Sequence, residues 1–394
     1  MMNRKYKIAI LNSHPIQYFA PLYRQLNSIG AIDLTVFYYS DIGLKSYYDE
    51  GFKKEIQWDT DLTKGYKYKI LTNLRRESKL KGFFNLVNTS LYRELKSGEF
   101  DAVIIHGTNY FTDVLAIFCC RLLGIKIFLR RSIHLQLRRS RSTSKERVIS
   151  FLTKMCDGCL SISERNTAYF LKMGVDKTKI YNIPHVVNNS HFIKESKLSP
   201  AEKTSVKERY NLPADNKIIL FASKVFKRKR PKDLLYAFEK LKNNKAFLVF
   251  VGEGEQLGEL KELVAIKNLK NVIFLGFVNQ SELPKLYAIS DIFVLPSEQE
   301  PWGLVINEAM CAGLPVVTTH EIGAVPEIVK HELNGLIYDA GNIDQLTTHL
   351  ERLVSDEELR VRMGKNGFNL IREYDYDLFS KRLVSILDEV IENR

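Results

Sequence analysis

Residues 296–315 read PSEQEPWGLVINEAMCAGLP, and this stretch decides the fold of the second half of the chain. It follows the apolar run 292–295 and places Gly303 in front of a segment of good helix-forming residues. A buried strand, a tight turn and a helix are therefore predicted in that order. Gly303 permits close approach of the backbone, and the first helical amides, at Leu304 and Val305, are suited to a phosphate group.

Two glutamates, Glu300 and Glu308, stand eight residues apart in this stretch. Glu300 is predicted in the loop before the helix and Glu308 inside the helix. The two carboxylates are therefore expected to address different parts of one ligand rather than to share a proton. From these residues alone, an ordinary crossover helix with a solvated Glu308 remains an equal alternative, because most helix N-termini bind no anion.

The same alternation of short apolar runs with helix-length segments extends through the rest of the chain. In the second half, strands are predicted at 217–223, 247–251, 272–275, 292–295, 315–318 and 335–338. In the first half, strands are predicted at 6–11, 33–39, 66–71, 102–105 and 125–129, and helices at 16–28, 84–96, 111–123 and 163–173. This alternation predicts an α/β protein of two Rossmann-like, doubly wound domains that face across a cleft, with ligand at the carboxyl ends of the strands.

Composition narrows the class of protein and its compartment. Residues 1–190 hold 30 Lys and Arg against 16 Asp and Glu, a net charge of +14, whereas the remainder holds 28 against 30, a net charge of −2. A cationic first half indicates a phosphate-rich partner, such as anionic lipid or nucleic acid. The five cysteines fit a reducing compartment, and the first 30 residues lack the features of a secretory signal. A cytoplasmic location is therefore expected.

A second element, residues 222–231, reads ASKVFKRKRP between a predicted strand and a predicted helix. Five of the seven residues from Lys224 to Arg230 are cationic. Such neighbours repel one another unless an anion lies among them, although a solvated basic loop is the alternative.

The stretch 296–315 closely resembles the E-x7-E signature of the family 4 retaining glycosyltransferases, or glycosyl transferases group 1, which have the GT-B fold. The resemblance continues through AMCAGLPVVTTHEIGAVPEIV at 309–329, which includes Gly313, Pro315 and Gly323. The opening His14-Pro15-Ile16-Gln17-Tyr18 resembles a subset of that family found in surface-polysaccharide assembly.

The resemblance implies a role for several residues in binding a nucleotide diphosphate sugar. Glu300 would hold hydroxyls of the donor sugar and Glu308 those of the ribose. Lys224 and Lys229 stand where the family carries an Arg and a Lys on the diphosphate, and a Lys at 224 lacks the planar fork of Arg. The other donor-binding candidates are Gly252, Phe277, Val278, Trp302, Gly303, Leu304 and Val305.

The first half supplies the candidates for the acceptor side. His106, at the end of a predicted strand, matches a family histidine beside the donor sugar and the acceptor, so the catalytic candidates are His106, Lys229 and Glu300. His14 and His134 are candidate acceptor or cleft residues.

The domains are predicted at 1–195, binding the acceptor, and 205–372, binding the nucleotide sugar. By the resemblance, 376–394 would pack back on the first domain.

No metal and no cofactor are expected. Many glycosyltransferases hold a divalent metal through a DxD motif, whereas Asp59-Thr60-Asp61 here lies in a polar N-terminal stretch. Two lysines and a helix N-terminus can instead stabilise the negative charge that develops on the departing diphosphate.

The leading interpretation is a retaining, metal-independent glycosyltransferase of the hexosyltransferase type that uses a nucleotide sugar, with UDP the commonest nucleotide in the family. The expected acceptor is a glycan or a lipid-linked glycan, in polysaccharide or glycoconjugate synthesis. One alternative is a GT-B nucleotide-sugar epimerase. Another is a basic nucleic-acid-binding protein, although the chain carries no helix-turn-helix, zinc-finger or RNA-recognition signature.

The first half also contains features of a peripheral membrane protein. Basic residues concentrate at 74–81 and 130–147, and an apolar stripe is predicted beside the first cluster from Phe83, Phe84, Leu86, Val87, Leu91 and Leu95. Together they fit contact with the anionic inner face of the cytoplasmic membrane, and a core-packed helix with solvated neighbours is the alternative.

Overall fold

The computed structural model describes residues 5–51, 53–75, 80–133, 143–242 and 245–392. The chain divides into two compact units. The first comprises residues 1–47, 60–185 and 376–394, and the second comprises residues 48–59 and 186–375. The predicted boundaries therefore differ from the observed ones at 48–59 and 186–195, both of which lie in the second unit. The last segment, 376–394, lies in the first unit.

Strands and helices alternate along most of the chain. The strands are β1 (Tyr6–Asn12), β2 (Ile32–Tyr38), β3 (Tyr47–Asp49), β4 (Lys54–Ile56), β5 (Lys67–Ile70), β6 (Ala102–Ile105), β7 (Lys126–Arg130), β8 (Gly158–Ser161), β9 (Ile180–Asn182), β10 (Lys217–Ala222), β11 (Ala246–Val251), β12 (Val272–Gly276), β13 (Ile292–Leu295), β14 (Val316–Thr319) and β15 (Gly335–Tyr338). The helices are α1 (Ala20–Ser28), α2 (Leu91–Gly98), α3 (Phe111–Leu123), α4 (Thr143–Lys154), α5 (Glu164–Lys172), α6 (Asn189–Glu195), α7 (Pro200–Arg209), α8 (Pro231–Glu239), α9 (Leu257–Ile266), α10 (Leu283–Ile289), α11 (Leu304–Cys311), α12 (Ile343–Ser355), α13 (Glu357–Ile371) and α14 (Tyr376–Leu387).

Each unit is built on one parallel sheet. The first sheet has the strand order β5-β2-β1-β6-β7-β8-β9, and the second has the order β12-β11-β10-β13-β14-β15. The order reverses between β1 and β6 in the first sheet and between β10 and β13 in the second. Because parallel strands all end at the same edge, the loops that follow β1, β6 and β7 share one edge, and those that follow β10, β11 and β13 share another.

The central strands are buried on both faces, as parallel sheets covered by crossover helices require. All four residues of β6 and of β13 are buried. The α/β class with two doubly wound sheets is therefore confirmed. Residues 189–215 contain two helices, α6 and α7. The strands β8 and β9 were not predicted from the sequence.

The predicted helix at 84–96 is wrong over its first half, 84–90, and right over 91–96. The chain forms a short 3-10 turn at Phe83–Asn85, and α2 begins only at Leu91. Asn88 explains the break, because its buried amide donates to the carbonyl oxygens of Tyr39 and Leu71, each at 3.1 Å. These bonds hold the segment in a loop conformation, since a side chain that bonds distant backbone competes with helix formation.

The predicted apolar stripe beside the first basic cluster divides in two. Leu86, Leu91 and Leu95 are fully buried in the core of the first unit, so they form no surface stripe. Phe83 and Phe84 are exposed. Among the described residues, no helix is both long enough and apolar enough to cross a bilayer.

Candidate functional site

The most buried charge contact at the carboxyl edge of the second sheet joins Lys229 and Glu300. Lys229 lies in the 3-10 turn after β10, and its Nζ donates to Glu300 Oε2, in the loop after β13. The Arg228 guanidinium lies 3.6 Å from the same carboxylate. Burial lowers the pKa of Lys229, and the neighbouring Glu300 carboxylate opposes that change. The structure thus brings together two of the three predicted catalytic residues.

The basic loop 222–231 carries its own counter-charges. Lys224 pairs with Asp49 at 2.9 Å, Arg228 and Lys229 pair with Glu300, and Arg230 pairs with Asp233 at 2.5 Å and Glu298 at 2.7 Å. Four of the five cations are therefore paired with carboxylates of the protein itself, and these carboxylates supply the anions that the cluster requires. A ligand phosphate at this loop would have to share or displace these carboxylates.

Residues 48–59 belong to the second unit and contact two of its proposed ligand-binding loops. Asp49 Oδ1 pairs with Lys224 and also accepts from the Gly51 amide at 2.8 Å. At the other end of the segment, the ring of Trp58 meets that of Phe277 edge to face, 5.7 Å between centroids. These contacts are the reason that 48–59 lies in the second unit, contrary to the predicted boundary.

The end of this segment is also hydrogen-bonded to the loop after β12. Asn279 Nδ2 donates to the Gln57 carbonyl at 2.7 Å, and the Ser281 amide donates to Asp59 Oδ2 at 3.1 Å. Sequence reasoning missed Asp49 and Trp58, because they lie more than 170 residues from their partners. No local signal in the sequence marks that pairing.

Glu308 is buried in α11 and is not the solvated helix residue of the alternative interpretation. Its carboxylate accepts from the Tyr287 hydroxyl at 2.8 Å. Burial raises the pKa of Glu308 to about 7, and the hydrogen bond from Tyr287 opposes part of that rise. Tyr287, on α10, is a site residue that the sequence did not indicate.

Gly303 precedes α11 with a φ of 97°, a conformation that favours glycine. Leu304 and Val305 then begin the helix, where the first amides have no acceptor within the helix. The neighbouring Trp302 is buried, and its indole Nε1 donates to Asn307 at 2.9 Å. The side chain of Trp302 therefore packs in the core, while the backbone around Gly303 keeps the predicted geometry.

Gly252 allows two loops to meet closely. A Cβ atom added at this position would stand 2.1 Å from the Ser223 carbonyl oxygen and 3.6 Å from the Lys224 nitrogen. Its own amide donates to the Gly276 carbonyl at 2.7 Å. Gly252 therefore joins the loop of Lys224 to the loop that leads into Phe277 and Val278, both of which are half-buried.

In the first unit, two of the three candidate histidines lie at the carboxyl edge of the sheet. The His106 amide donates to the Leu11 carbonyl at 3.3 Å, and its ring meets Phe19 edge to face at 4.7 Å. Burial, with a further effect from Arg130, lowers the pKa of His106 to about 3, so the ring is neutral at physiological pH. His14 Nδ1 lies 2.8 Å from Ser13 Oγ. His134 lies outside the described residues.

Part of the chain is similar in sequence to known glycosyltransferases. Residues 202–370 match the family model of glycosyl transferases group 1. An uncharacterized glycosyltransferase of Methanocaldococcus jannaschii is 34% identical over 220 residues, which are 55% of this chain and 55% of that protein. The chain therefore aligns with little more than half the length of that relative. The UDP-Gal:alpha-D-GlcNAc-diphosphoundecaprenol alpha-1,3-galactosyltransferase of Escherichia coli is 28% identical over 329 residues, 78% of this chain and 81% of that enzyme.

Among solved structures, Anabaena HepE in complex with UDP and glucose superposes with a TM-score of 0.75 at 19% identity, covering 98% of this chain and 100% of that one. At this identity the likeness shows the fold alone. The chain has the GT-B fold of two Rossmann-like α/β domains.

The raised pKa of Glu308 has a measurable effect on stability. Because the folded protein holds this proton more tightly than the unfolded chain, the wild type should lose stability as the pH rises from about 4.5 to above about 7. Glu308→Gln removes this loss. The free energy of unfolding of the variant should therefore rise relative to that of the wild type as the pH rises, by on the order of 2 kcal/mol at pH 8.

Urea unfolding between pH 5.5 and 8.5 measures this difference. Glu262→Gln, at an exposed position of α9, is the control and should show no such trend. If the free energy of unfolding of Glu308→Gln differs from that of the wild type by an amount that stays constant with pH, the assignment of a proton to the buried Glu308 carboxyl is contradicted.

Proposed function

We propose that this protein is a family 4 retaining glycosyltransferase that moves a sugar from a nucleotide diphosphate sugar, with UDP as the nucleotide, to a glycan or lipid-linked acceptor. The observation that carries this proposal is the buried contact of Lys229 with Glu300, at the point where the strand order of the second sheet reverses. Ligands of doubly wound sheets bind at such reversal points.

The diphosphate of the donor would lie against Lys224, Lys229 and the amides of Leu304 and Val305. Breaking the bond between sugar and phosphate leaves negative charge on the departing nucleotide. Charges and dipoles already fixed in a water-poor site stabilise that charge without reorganisation at the moment of reaction. Lys229 is buried, so its charge is poorly screened by water and its effect on a bound phosphate is strong.

The two glutamates would select the hydroxyl groups of the donor. Glu300 would accept from hydroxyls of the sugar while it remains beside Lys229. Glu308 would accept from the ribose hydroxyls, and such bonds favour its charged form, in competition with the burial that favours the neutral form. The base would lie against the backbone of Phe277 and Val278, in the loop joined to Gly252.

UDP is proposed on two grounds that come from other proteins. HepE, which shares the fold, was solved with UDP, and the galactosyltransferase of Escherichia coli carries UDP-Gal in its name. The name of the latter also contains a diphosphoundecaprenol, which supports a lipid-linked acceptor here. His106 is neutral and would hydrogen-bond the sugar or the incoming hydroxyl, while retention by attack on the leaving-group face requires no nucleophilic side chain.

Lys229→Met tests the proposed donor site. The variant should lose the thermal stabilisation that UDP gives the wild type, and transfer or slow hydrolysis of the nucleotide sugar should fall about 100-fold, because one preorganised charge at the leaving group is lost. Arg228, 3.6 Å from Glu300, leaves that carboxylate a cationic neighbour in the variant. Lys240→Met, which alters an exposed lysine paired with Asp344, is the control and should behave as the wild type.

The same assay tests metal independence. Activity should persist in EDTA, because the lysines and the helix amides supply the charge stabilisation. Complete loss of activity on chelation, restored by a divalent cation, would contradict this part of the proposal.

The ion pair of Asp49 with Lys224 should oppose donor binding. A diphosphate that contacts Lys224 must share or displace this carboxylate, so Asp49→Asn should tighten UDP binding about fivefold, the size expected for a partly exposed pair. Titration calorimetry at constant ionic strength measures the change. Asp344→Asn, which breaks the exposed pair with Lys240, is the control. Weaker binding by Asp49→Asn would show instead that Asp49 orients Lys224 for the donor.

A peripheral membrane surface is proposed on the first unit. Phe83 and Phe84 contact the ring of Phe111, and Phe118 and Leu122 continue along α3 with 49% and 75% of their surface exposed. On α4, Val148 and Phe151 are exposed with Arg147 and Lys154 as neighbours. Exposed apolar side chains among cations fit the interface of an anionic bilayer.

Flotation with vesicles that contain anionic lipid tests this surface. The wild type should bind, with binding lost at high salt, and Phe84→Ser with Phe151→Ser should weaken it at least about tenfold, because each buried apolar side chain contributes a few kcal/mol at most. Ile266→Ser, at an exposed position in the second unit, is the control. Equal binding to neutral and anionic vesicles would contradict the proposal.

A further inference from the structure

Arg130, the last residue of β7, is a buried cation that has no carboxylate partner among the residues that the structure describes. Only 3% of its surface is exposed. Its Nη2 donates to the Pro184 carbonyl at 3.4 Å and lies 3.2 Å from His185 Nδ1, and its guanidinium stacks on the Phe379 ring at 4.7 Å. Within the part of the chain that the structure describes, no carboxylate pairs with Arg130 and its Nε has no hydrogen-bond partner.

Arg360 is a second buried arginine, and its partners can be compared with those of Arg130. It is 6% exposed, and its guanidinium donates to the Leu353 carbonyl at 2.7 Å and lies 3.6 Å from the Glu357 carboxylate. A buried charge normally requires such compensation, since an uncompensated one destabilises the fold. Arg130 departs from this rule, and residues 134–142, which follow it closely, read HLQLRRSRS and contain no acidic residue.

The polar groups around Arg130 are neutral. His185 is buried, and burial together with Arg130 lowers its pKa well below the usual value. The pKa of His106 is lowered by burial and by the same arginine. Ser132 Oγ lies 2.8 Å from His185 Nε2 and is exposed, so the cluster reaches the surface there. One guanidinium, two neutral imidazoles and a hydroxyl thus gather without an anion among the described residues.

This cluster lies where ligands of a doubly wound sheet bind. His106, Arg130 and Ser132 follow or end the adjacent strands β6 and β7, and His185 follows β9. The reversal of strand order is at β1 and β6, so the cluster stands at the carboxyl edge beside it. An unpaired guanidinium with free donors matches the geometry of phosphate oxygens. His185 Nδ1 accepts from Arg130, so its Nε2–H donates to Ser132 Oγ, and the Ser132 hydroxyl can donate in turn to a phosphate oxygen.

We propose that Arg130, with His185, His106 and Ser132, binds a phosphate or diphosphate group of the acceptor. The assignment to the acceptor rests on the proposed function, whereas the anion site rests on Arg130 itself. The bound phosphate supplies the missing counter-charge and favours protonation of the adjacent imidazoles. The arginine is therefore kept for binding, at the expense of the stability of the ligand-free protein.

Thermal unfolding with and without pyrophosphate tests the site. Pyrophosphate should raise the Tm of the wild type by at least about 3 °C. Lys229→Met, which alters the proposed donor site, should keep a response, and adding Arg130→Met to Lys229→Met should abolish it. In the absence of ligand, Arg130→Met should have a Tm no lower than the wild type, because it removes an uncompensated charge. Arg360→Met should lower the Tm by about 5 °C and keep the response.

The outcomes separate this proposal from the donor assignment. Loss of the pyrophosphate response in Lys229→Met, with the response intact in Arg130→Met, overturns the anion site and leaves the donor site standing. No UDP binding by the wild type contradicts the proposed function, while the pyrophosphate comparison still decides on Arg130. A lower Tm for Arg130→Met, with a pyrophosphate response that is unchanged when Arg130→Met is added to Lys229→Met, shows a purely structural arginine and overturns the proposal.

If Arg130→Met does not fold, the wild type alone gives the answer. The imidazole nitrogen resonances of His185 should move toward the protonated form when pyrophosphate is added at pH 6, and absence of that change overturns the proposal. Geranyl diphosphate and inorganic phosphate then distinguish the source of the group. A response to both indicates recognition of phosphate, and a response to geranyl diphosphate alone indicates a lipid-linked diphosphate. Equal stabilisation by acetate overturns the choice of phosphate.

Discussion

Parallel pairing of the strands is the constraint on which the rest of this molecule depends. A parallel pair cannot be closed by a tight turn, so each strand is followed by a crossover that returns the chain to the same side of the sheet. All strands of a sheet then end at one edge. This brings Lys229 and Glu300, 71 residues apart in sequence, into contact at the edge of the second sheet. In the first sheet it gathers His106, Arg130 and Ser132 in the same way.

Cations at the carboxyl edges of the two sheets have different surroundings. In the second unit four of the five cations of the loop after β10 are paired with carboxylates of the protein, including Asp49 from a distant segment. In the first unit Arg130 has neutral neighbours and no carboxylate partner among the described residues. A compensated charge adds to the stability of the fold but is less available to a ligand, whereas an uncompensated charge is available and destabilising. The loop after β10 therefore contains its own counter-charges, whereas the Arg130 cluster has none among the described residues.

Burial shifts several ionisable groups toward their neutral forms. It raises the pKa of Glu308, and it lowers the pKa of Lys229 and of His106. The physical cause is the same in each case, because removal from water penalises the charged form. A ligand that brings the opposite charge, or hydrogen bonds to the charged form, reverses the shift. Binding of such a ligand would therefore be coupled to protonation at these positions.

The sequence by itself determined the class of the fold and the local geometry around Gly303. Alternating apolar runs are a local pattern, and they predicted the second sheet, most strands of the first sheet, and a helix after Gly303. The strands β8 and β9 of the first sheet were not predicted. The first half of the helix at 84–96 failed because Asn88 bonds backbone that lies 17 and 49 residues away. Only the tertiary structure decided that Asp49 meets Lys224, that Tyr287 bonds Glu308, and that Arg130 is buried with no carboxylate partner in the described parts of the chain. Such pairings depend on which loops meet at a sheet edge and on how much water they exclude, and neither quantity is written in the spacing of residues along the chain.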